Sequence, residues 1–294
     1  MDRIERRSLA QSIVDFPLVA MVIALAAVIV PAGLVAGFFE RAVGSSPMAE
    51  RVGQIAVVAV MIASYKLVVR HLGERQHDDL SGPGAVGQLA AGLALGAALF
   101  ALVVAVAALT GTYRVIGAGD ARNLYPALIA NGLFPAVSEE IIYRGILFRW
   151  IEEFAGSWAA LILSSVLFGL SHVENPNADI MSTVGLMLEA GLLLGGAYML
   201  TRRLWLPMGI HAAWNLTQGE VFDVPVSGTD VHGLVEAKLQ GPTLLTGGGF
   251  GLEGSLIGIT IGTGAGVAIV WLAMRRGAVV PPRWVRLAEA QSSA

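Results

Sequence analysis

The sequence predicts an all-α protein, a polytopic bundle of about eight transmembrane helices. Three observations carry this. Apolar residues make up 55% of the 294 and charged residues only 14%, whereas soluble domains are nearer half and a quarter; the mean hydropathy is +0.69. Apolar runs recur at about the 20 residues that a bilayer core requires. More of the arginines between and after those runs fall on one side of the resulting topology than on the other, as they do on the cytoplasmic side of membrane proteins.

The runs fall at 14–39, 53–69, 84–110, 124–150, 158–176, 180–200, 204–221 and 254–274. The first follows a basic opening of Arg3, Arg6 and Arg7. Its apolar stretch from Phe16 to Phe39 exceeds the roughly 7–15 residues of a signal-peptide core, so it reads as a spanning helix, with a kink expected at Pro31. The second is short and ends in Lys66 and Arg70, side chains long enough to reach a headgroup. With a cytoplasmic N-terminus, eight spans put Arg70, Arg75, Arg202, Arg203, Arg275, Arg276, Arg283 and Arg286 on one side. The loop from Glu220 to Glu253 has five acidic residues, with Lys238 its one base, and falls on the other side. So do Arg41, Arg51, Arg114 and Arg122. The expectation is a multi-pass protein of a plasma (inner) membrane with both termini cytoplasmic.

Several chemistries drop out. The chain has no cysteine, which removes disulfides, thiolate metal sites and cysteine nucleophiles together. No basic patch interleaved with aromatics suggests nucleic acid. Thr246 to Ser255, "TGGGFGLEGS", lacks the Gly-Lys-Ser/Thr ending of a phosphate loop and reads as a tight turn with Ser255 near a helix N-cap. Carboxylates, histidines and hydroxyls remain.

A charge at mid-membrane costs about 2.5–3.5 kcal/mol on insertion scales, and such residues usually mark function. Three polar stretches interrupt apolar runs: Ser138 to Arg144 ("SEEIIYR"), Phe168 to His172 ("FGLSH") and His211 to Asn215 ("HAAWN"). Glu140 and Arg144 are one helical turn apart and able to pair, whereas Glu139 points about 140° from Arg144 and lacks a local counter-ion. Phe168 shares a face with His172, and His211 with Asn215. One carboxylate base, two histidines and an amide donor suit activation of water against a carbonyl. His-Glu-x-x-His is absent, and no Gly-x-Ser-x-Gly elbow stands in a suitable context. Each residue also has a structural reading, as an inter-helix brace or a hydrogen-bonded polar group. Glu189 could line a cavity or bond to a neighbouring helix, and Asn131 could meet substrate or brace. Asp15, His71, His77 and His232 read as solvated.

Glu-Glu-x-x-x-Arg, Phe-x-x-x-His and His-x-x-x-Asn, in that order on successive apolar runs, resemble the CPBP family. This family comprises the type II CAAX prenyl proteases and the bacteriocin-processing and self-immunity (Abi) proteins. The likeness covers roughly 120–220, between N-terminal helices (1–119) and a last part (221–294) of outer loop, final helix and tail. Gly241 to Leu256 also looks like the tail of many bacterial members. The resemblance implies a glutamate-dependent intramembrane endopeptidase acting on a peptide or lipidated protein in contact with membrane lipid. It implies Glu139 as general base, His172 holding or activating the water, His211 and Asn215 stabilising the oxyanion, and Glu140 with Arg144 as a brace. Many members are labelled metalloproteases. Two histidines and a carboxylate could complete a zinc site, but that set would occupy the base or draw on Glu140. No obligatory metal is the expectation, and zinc the alternative. A proton-coupled transporter is disfavoured because the Glu-Glu-x-x-x-Arg pattern has no second copy; a non-catalytic immunity or binding protein is the other alternative.

Overall fold

The computed structural model describes residues 9–42, 46–73, 77–120, 122 and 124–292; Arg3, Arg6, Arg7 and Arg75 lie outside the described residues. The helices are α1 Leu9–Val14, α2 Pro17–Ala42, α3 Pro47–His71, α4 Ala85–Leu109, α5 Leu124–Leu170, α6 Ile180–Thr201, α7 Trp205–Leu216, α8 Leu256–Arg275 and α9 Arg283–Ser292. Six of them, α2 to α6 and α8, are long and apolar enough to cross a membrane. The sequence did not predict the small antiparallel ribbon of β1 Tyr113–Ala118 and β2 Val235–Leu239.

α5 runs for 47 residues but doubles back at Gly156, whose φ of 82° and ψ of 171° are not helical. Only glycine takes this φ without strain, and a Cβ there would stand 2.8 Å from Val280 O. The bend explains why the sequence shows two apolar runs where one helical segment is continuous. α7 has only 12 residues, extended by a wide π turn over Thr217–Val221.

Two boundaries differ from the sequence expectation. α3 starts at Pro47, not near residue 53. Ser46 Oγ accepts from the Ala49 N–H at 3.2 Å, and proline at the first helical position lacks a donor that the cap would otherwise have to satisfy. Glu50 and Arg51 therefore enter the first turn. The run expected to reach residue 176 stops at Leu170, because Asn175 precedes Pro176 and is steered away from helix. Asp179 then caps α6, exchanging bonds with Ser182 in both directions.

Glycines let α4 and α7 approach closely: a Cβ on Gly92 would lie 2.4 Å from Leu206 O, and one on Gly209 2.5 Å from Leu89 O. α6 packs between the second leg of α5 and α8. On the face that carries the Gly156 bend, Asp79 is fully buried. It accepts from Arg149 at 2.7 Å, Tyr198 at 2.8 Å and Tyr65 at 2.9 Å, tying the α3–α4 loop to α3, α5 and α6.

Candidate active site

Glu139 lies 17 residues before Gly156, and His172 lies 16 after it. At 1.5 Å per residue both stand roughly 25 Å above the bend, so the hairpin of α5 brings them to one level. The backbone widens into a π-helical stretch, Ile141–Phe148, just after Glu140; such irregularities recur at functional sites. His172 is not in the helix proper. It sits in the turn beyond Leu170, and its Nδ1 is 2.8 Å from Phe168 O. A carbonyl can only accept, so Nδ1 carries the proton and Nε2 presents its lone pair.

His211 is set the same way. Its Nδ1 is 3.0 Å from Glu140 Oε1, and with that carboxylate ionised Nδ1 again donates. Arg144 Nη1 reaches the same oxygen at 2.9 Å, with neither side chain exposed, and its Nη2 donates to Ala190 O at 3.2 Å. The Arg144 guanidinium also lies 4.6 Å from the centre of the Phe168 ring. Glu140 is thus held between a cation and an imidazole, as the one-turn spacing predicts for the arginine. Spacing did not reveal the histidine.

Glu139 takes the other direction. Its Oε2 is 3.9 Å from His172 Nε2 and 4.0 Å from His211 Nε2. That atom is shielded and has no hydrogen-bond partner among the described residues. Both separations are too long for a hydrogen bond, yet a single water about 2.8 Å from each partner could touch two of these atoms. Asn215 Nδ2 donates to Asn131 O at 3.1 Å, leaving one of its two N–H groups unspent.

These groups line a cleft of about 380 Å³ with Asn131, Tyr143, Asn175 and, from the loop after α7, Ser227 and Thr229. Behind the two histidines a narrow pocket of about 30 Å³ is walled by Leu186, Leu193 and Trp214, and takes in Glu189 and Glu253. Glu189 Oε2 is buried without a hydrogen-bond partner, so the cavity reading of this residue is the one its position fits. Asn131 braces, donating to Glu220 at 2.9 Å, and it also lines the cleft.

Asn175, Ser227 and Glu253 were not singled out by sequence. Asn175 donates to Ser227 O at 3.1 Å, and the Ser227 N–H donates to Glu253 Oε1, so the Val226–Thr229 turn is pinned over the site. Burial holds the Glu253 carboxyl above the usual range, although bonds from Ser227 and Gln218 and the nearby His172 pull the other way. The "TGGGFGLEGS" turn does end in a helix N-cap, with Ser255 accepting from Gly258 at 3.1 Å. Its glutamate was the overlooked signal, since an acid between glycines beside an apolar run has no evident solvent-facing role. Among the described residues, no three His, Asp or Glu groups are arranged to hold a metal ion.

Residues 121–217 match the Rce1-like family of type II CAAX prenyl endopeptidases. Over 88 residues the chain is 28% identical to the "Putative membrane peptidase YdiL" of Bacillus subtilis (strain 168), a stretch covering 30% of this chain and 34% of that protein. The chain thus matches about a third of that relative's length. No solved structure matches it significantly.

Proposed function

We propose, from the premise that residues 121–217 are an Rce1-like domain of a membrane peptidase family, that the chain is an intramembrane endopeptidase in which Glu139 activates the attacking water. The observation that carries this is the meeting of Glu139 Oε2 with two imidazole nitrogens at 3.9 and 4.0 Å, on the wall of an open cleft.

In the neutral ring His172 Nε2 faces Glu139 as a lone pair, while His211, set between the Glu139 and Glu140 carboxylates, carries a proton on each ring nitrogen. A water placed there can donate one hydrogen to Glu139 and one to His172, which aims its oxygen lone pair away from them and towards a bound carbonyl. As the oxygen attacks, its proton passes to Glu139, the new C–O bond forms and the carbonyl electrons move to oxygen. Asn215 contributes its unspent N–H to that oxyanion. The Nε2–H that His211 carries throughout is a second donor to that oxyanion, with Glu140 accepting from Nδ1 on the far side. Collapse of the intermediate breaks the C–N bond, and Glu139 returns the proton to the departing amine. Glu140 and Arg144 touch no reacting atom; they position His211. No step is assigned to a metal.

The substrate on this reading is a peptide or lipidated protein segment that reaches the membrane. Comparative proteomics of membrane-derived peptides from cells making the wild-type or the Glu139→Ala protein tests it. Peptides absent from the variant support the reading; identical peptide sets overturn it.

A further inference from the structure

The two ends of the bundle differ in charge, and the cleft opens at only one of them. The end that carries the Gly156 bend also carries the α3–α4 loop, the α6–α7 turn and everything after α8. These are stitched together there: Arg202 donates to Ala278 O, Arg203 to Pro83 O, and Val280 N to Ser157 Oγ at 2.8 Å. This end holds Lys66, Arg70, Arg202, Arg203, Arg275 and Arg276, with Arg283 and Arg286 on α9. The opposite end is built from the α2–α3 connection, the segment after α4, residues 171–179 and the long 217–255 region. It carries fewer bases, Arg41, Arg51, Arg114, Arg122 and Lys238, and its loops after α4 are acid-rich, with Asp120, Glu174, Asp179, Asp223, Asp230 and Glu236.

The lining of the cleft tells which end it belongs to. Ala130, Asn131 and Pro135 precede Glu139 on the leg that descends from the acidic end, and Asn175, Ser227 and Thr229 come from the loops of that end. Nothing from the basic end contributes. Below Glu139 the path is closed by the fully buried Glu140, Arg144, Ile141, Ile146 and Trp150. Of the two ends, it is therefore the acidic one from which a polypeptide can reach Glu139.

Lysine and arginine concentrate on the cytoplasmic side of membrane proteins, and acidic residues contribute little to that bias. We infer that the basic end is cytoplasmic and that the cleft opens on the extracytoplasmic face, so the substrates are exported or outward-facing polypeptide segments and not lipidated C-termini presented from the cytosol. The substrate half of this inference rests on the endopeptidase reading above; the sidedness does not.

The native chain has no cysteine, so each introduced thiol reports alone. Thr229, exposed at the cleft, and Ala288, exposed on α9, are replaced singly in the full-length protein (Thr229→Cys and Ala288→Cys) and expressed in bacterial cells. Intact spheroplasts are treated with a membrane-impermeant maleimide before and after permeabilisation. The expected result is modification of Thr229→Cys in intact spheroplasts and of Ala288→Cys only after permeabilisation. The reverse pattern, or equal labelling of both in intact spheroplasts, overturns the inference. Labelling needs no catalysis, so a reversed pattern would leave the role of Glu139 standing. Conversely, an inactive protein with the expected labelling would overturn the endopeptidase reading alone.

Discussion

His211 turns its Nδ1 onto Glu140 at 3.0 Å, and through that bond the buried Glu140–Arg144 pair fixes the ring beside Glu139. Removing one charge of a buried pair leaves the other uncompensated, at a cost of about 3–5 kcal/mol. Glu140→Gln keeps an acceptor for His211 but strands Arg144, so it is expected to lower stability by that order in detergent unfolding. Glu140→Gln with Arg144→Met removes both charges, and its loss should be well short of the sum of the two single losses. Additive losses would show that the two side chains do not depend on each other.

Glu139 behaves differently because no structural partner depends on it. Its carboxylate oxygen lacks a hydrogen bond, and its side chain is 28% exposed. Glu139→Gln should leave unfolding within about 0.5 kcal/mol of wild type, while peptide turnover falls about 10²–10⁴-fold, the usual weight of a general base. A stable protein with wild-type turnover would remove Glu139 from the mechanism.

Much of this site was legible because its members come in one-turn pairs. Glu140 with Arg144, Phe168 with His172 and His211 with Asn215 announce a shared face, and their burial in apolar runs marks them as costly unless useful. The helical legs were legible from hydropathy, including the two that α5 merges across Gly156. The roof of the cleft was not. Asn175, Ser227 and Glu253 lie in loops with no period, and they meet only because the chain between α7 and α8 folds back over the histidines. The second bond of Glu140, to His211, was hidden for the same reason: 71 residues separate the partners. The π turns escaped because they arise from packing of whole helices, which local propensity does not record.

Among the described residues no cluster of three His, Asp or Glu groups is fit for a metal, and the proposed steps use none. Dialysis against a chelator followed by assay in chelated buffer is expected to leave peptide cleavage unchanged. Loss of activity that returns on adding zinc would assign a metal to these histidines and end the metal-free reading.

Outside the spanning segments, Asp78 offers a pH test. Burial alone would raise its carboxyl, but hydrogen bonds from Lys66, Ser81 and the Leu80 N–H, with the Lys66 charge, together hold it below the usual aspartate range. The Lys66 ammonium is 2.6 Å away. A carboxyl depressed in the folded state binds fewer protons there than when unfolded, so its stabilisation is complete above the ordinary value of about 3.9 and is lost as pH falls through the depressed one. Unfolding midpoints should therefore drop on acidification below about pH 4, and less steeply for Asp78→Asn. Parallel slopes would show that the Asp78–Lys66 contact contributes no acid sensitivity.

Asn215 is the residue at which structure and chemistry are hardest to separate, because one carboxamide serves both. Its Nδ2 donates to the backbone carbonyl of Asn131 at 3.1 Å, and the Asn131 side chain donates separately to Glu220 at 2.9 Å, so the proposed oxyanion donor is aimed by a main-chain acceptor. Loss of one oxyanion donor typically lowers kcat by about 10²–10³-fold. Asn215→Ala is expected to show that loss with KM little changed, since the bond matures only as charge builds on the carbonyl oxygen. Asn131→Ala keeps the carbonyl to which Asn215 donates and removes only the bond to Glu220, so its kcat should fall less. If Asn215→Ala instead raised KM at unchanged kcat, Asn215 would hold the ground-state peptide, and the oxyanion would have to be stabilised by His211 alone.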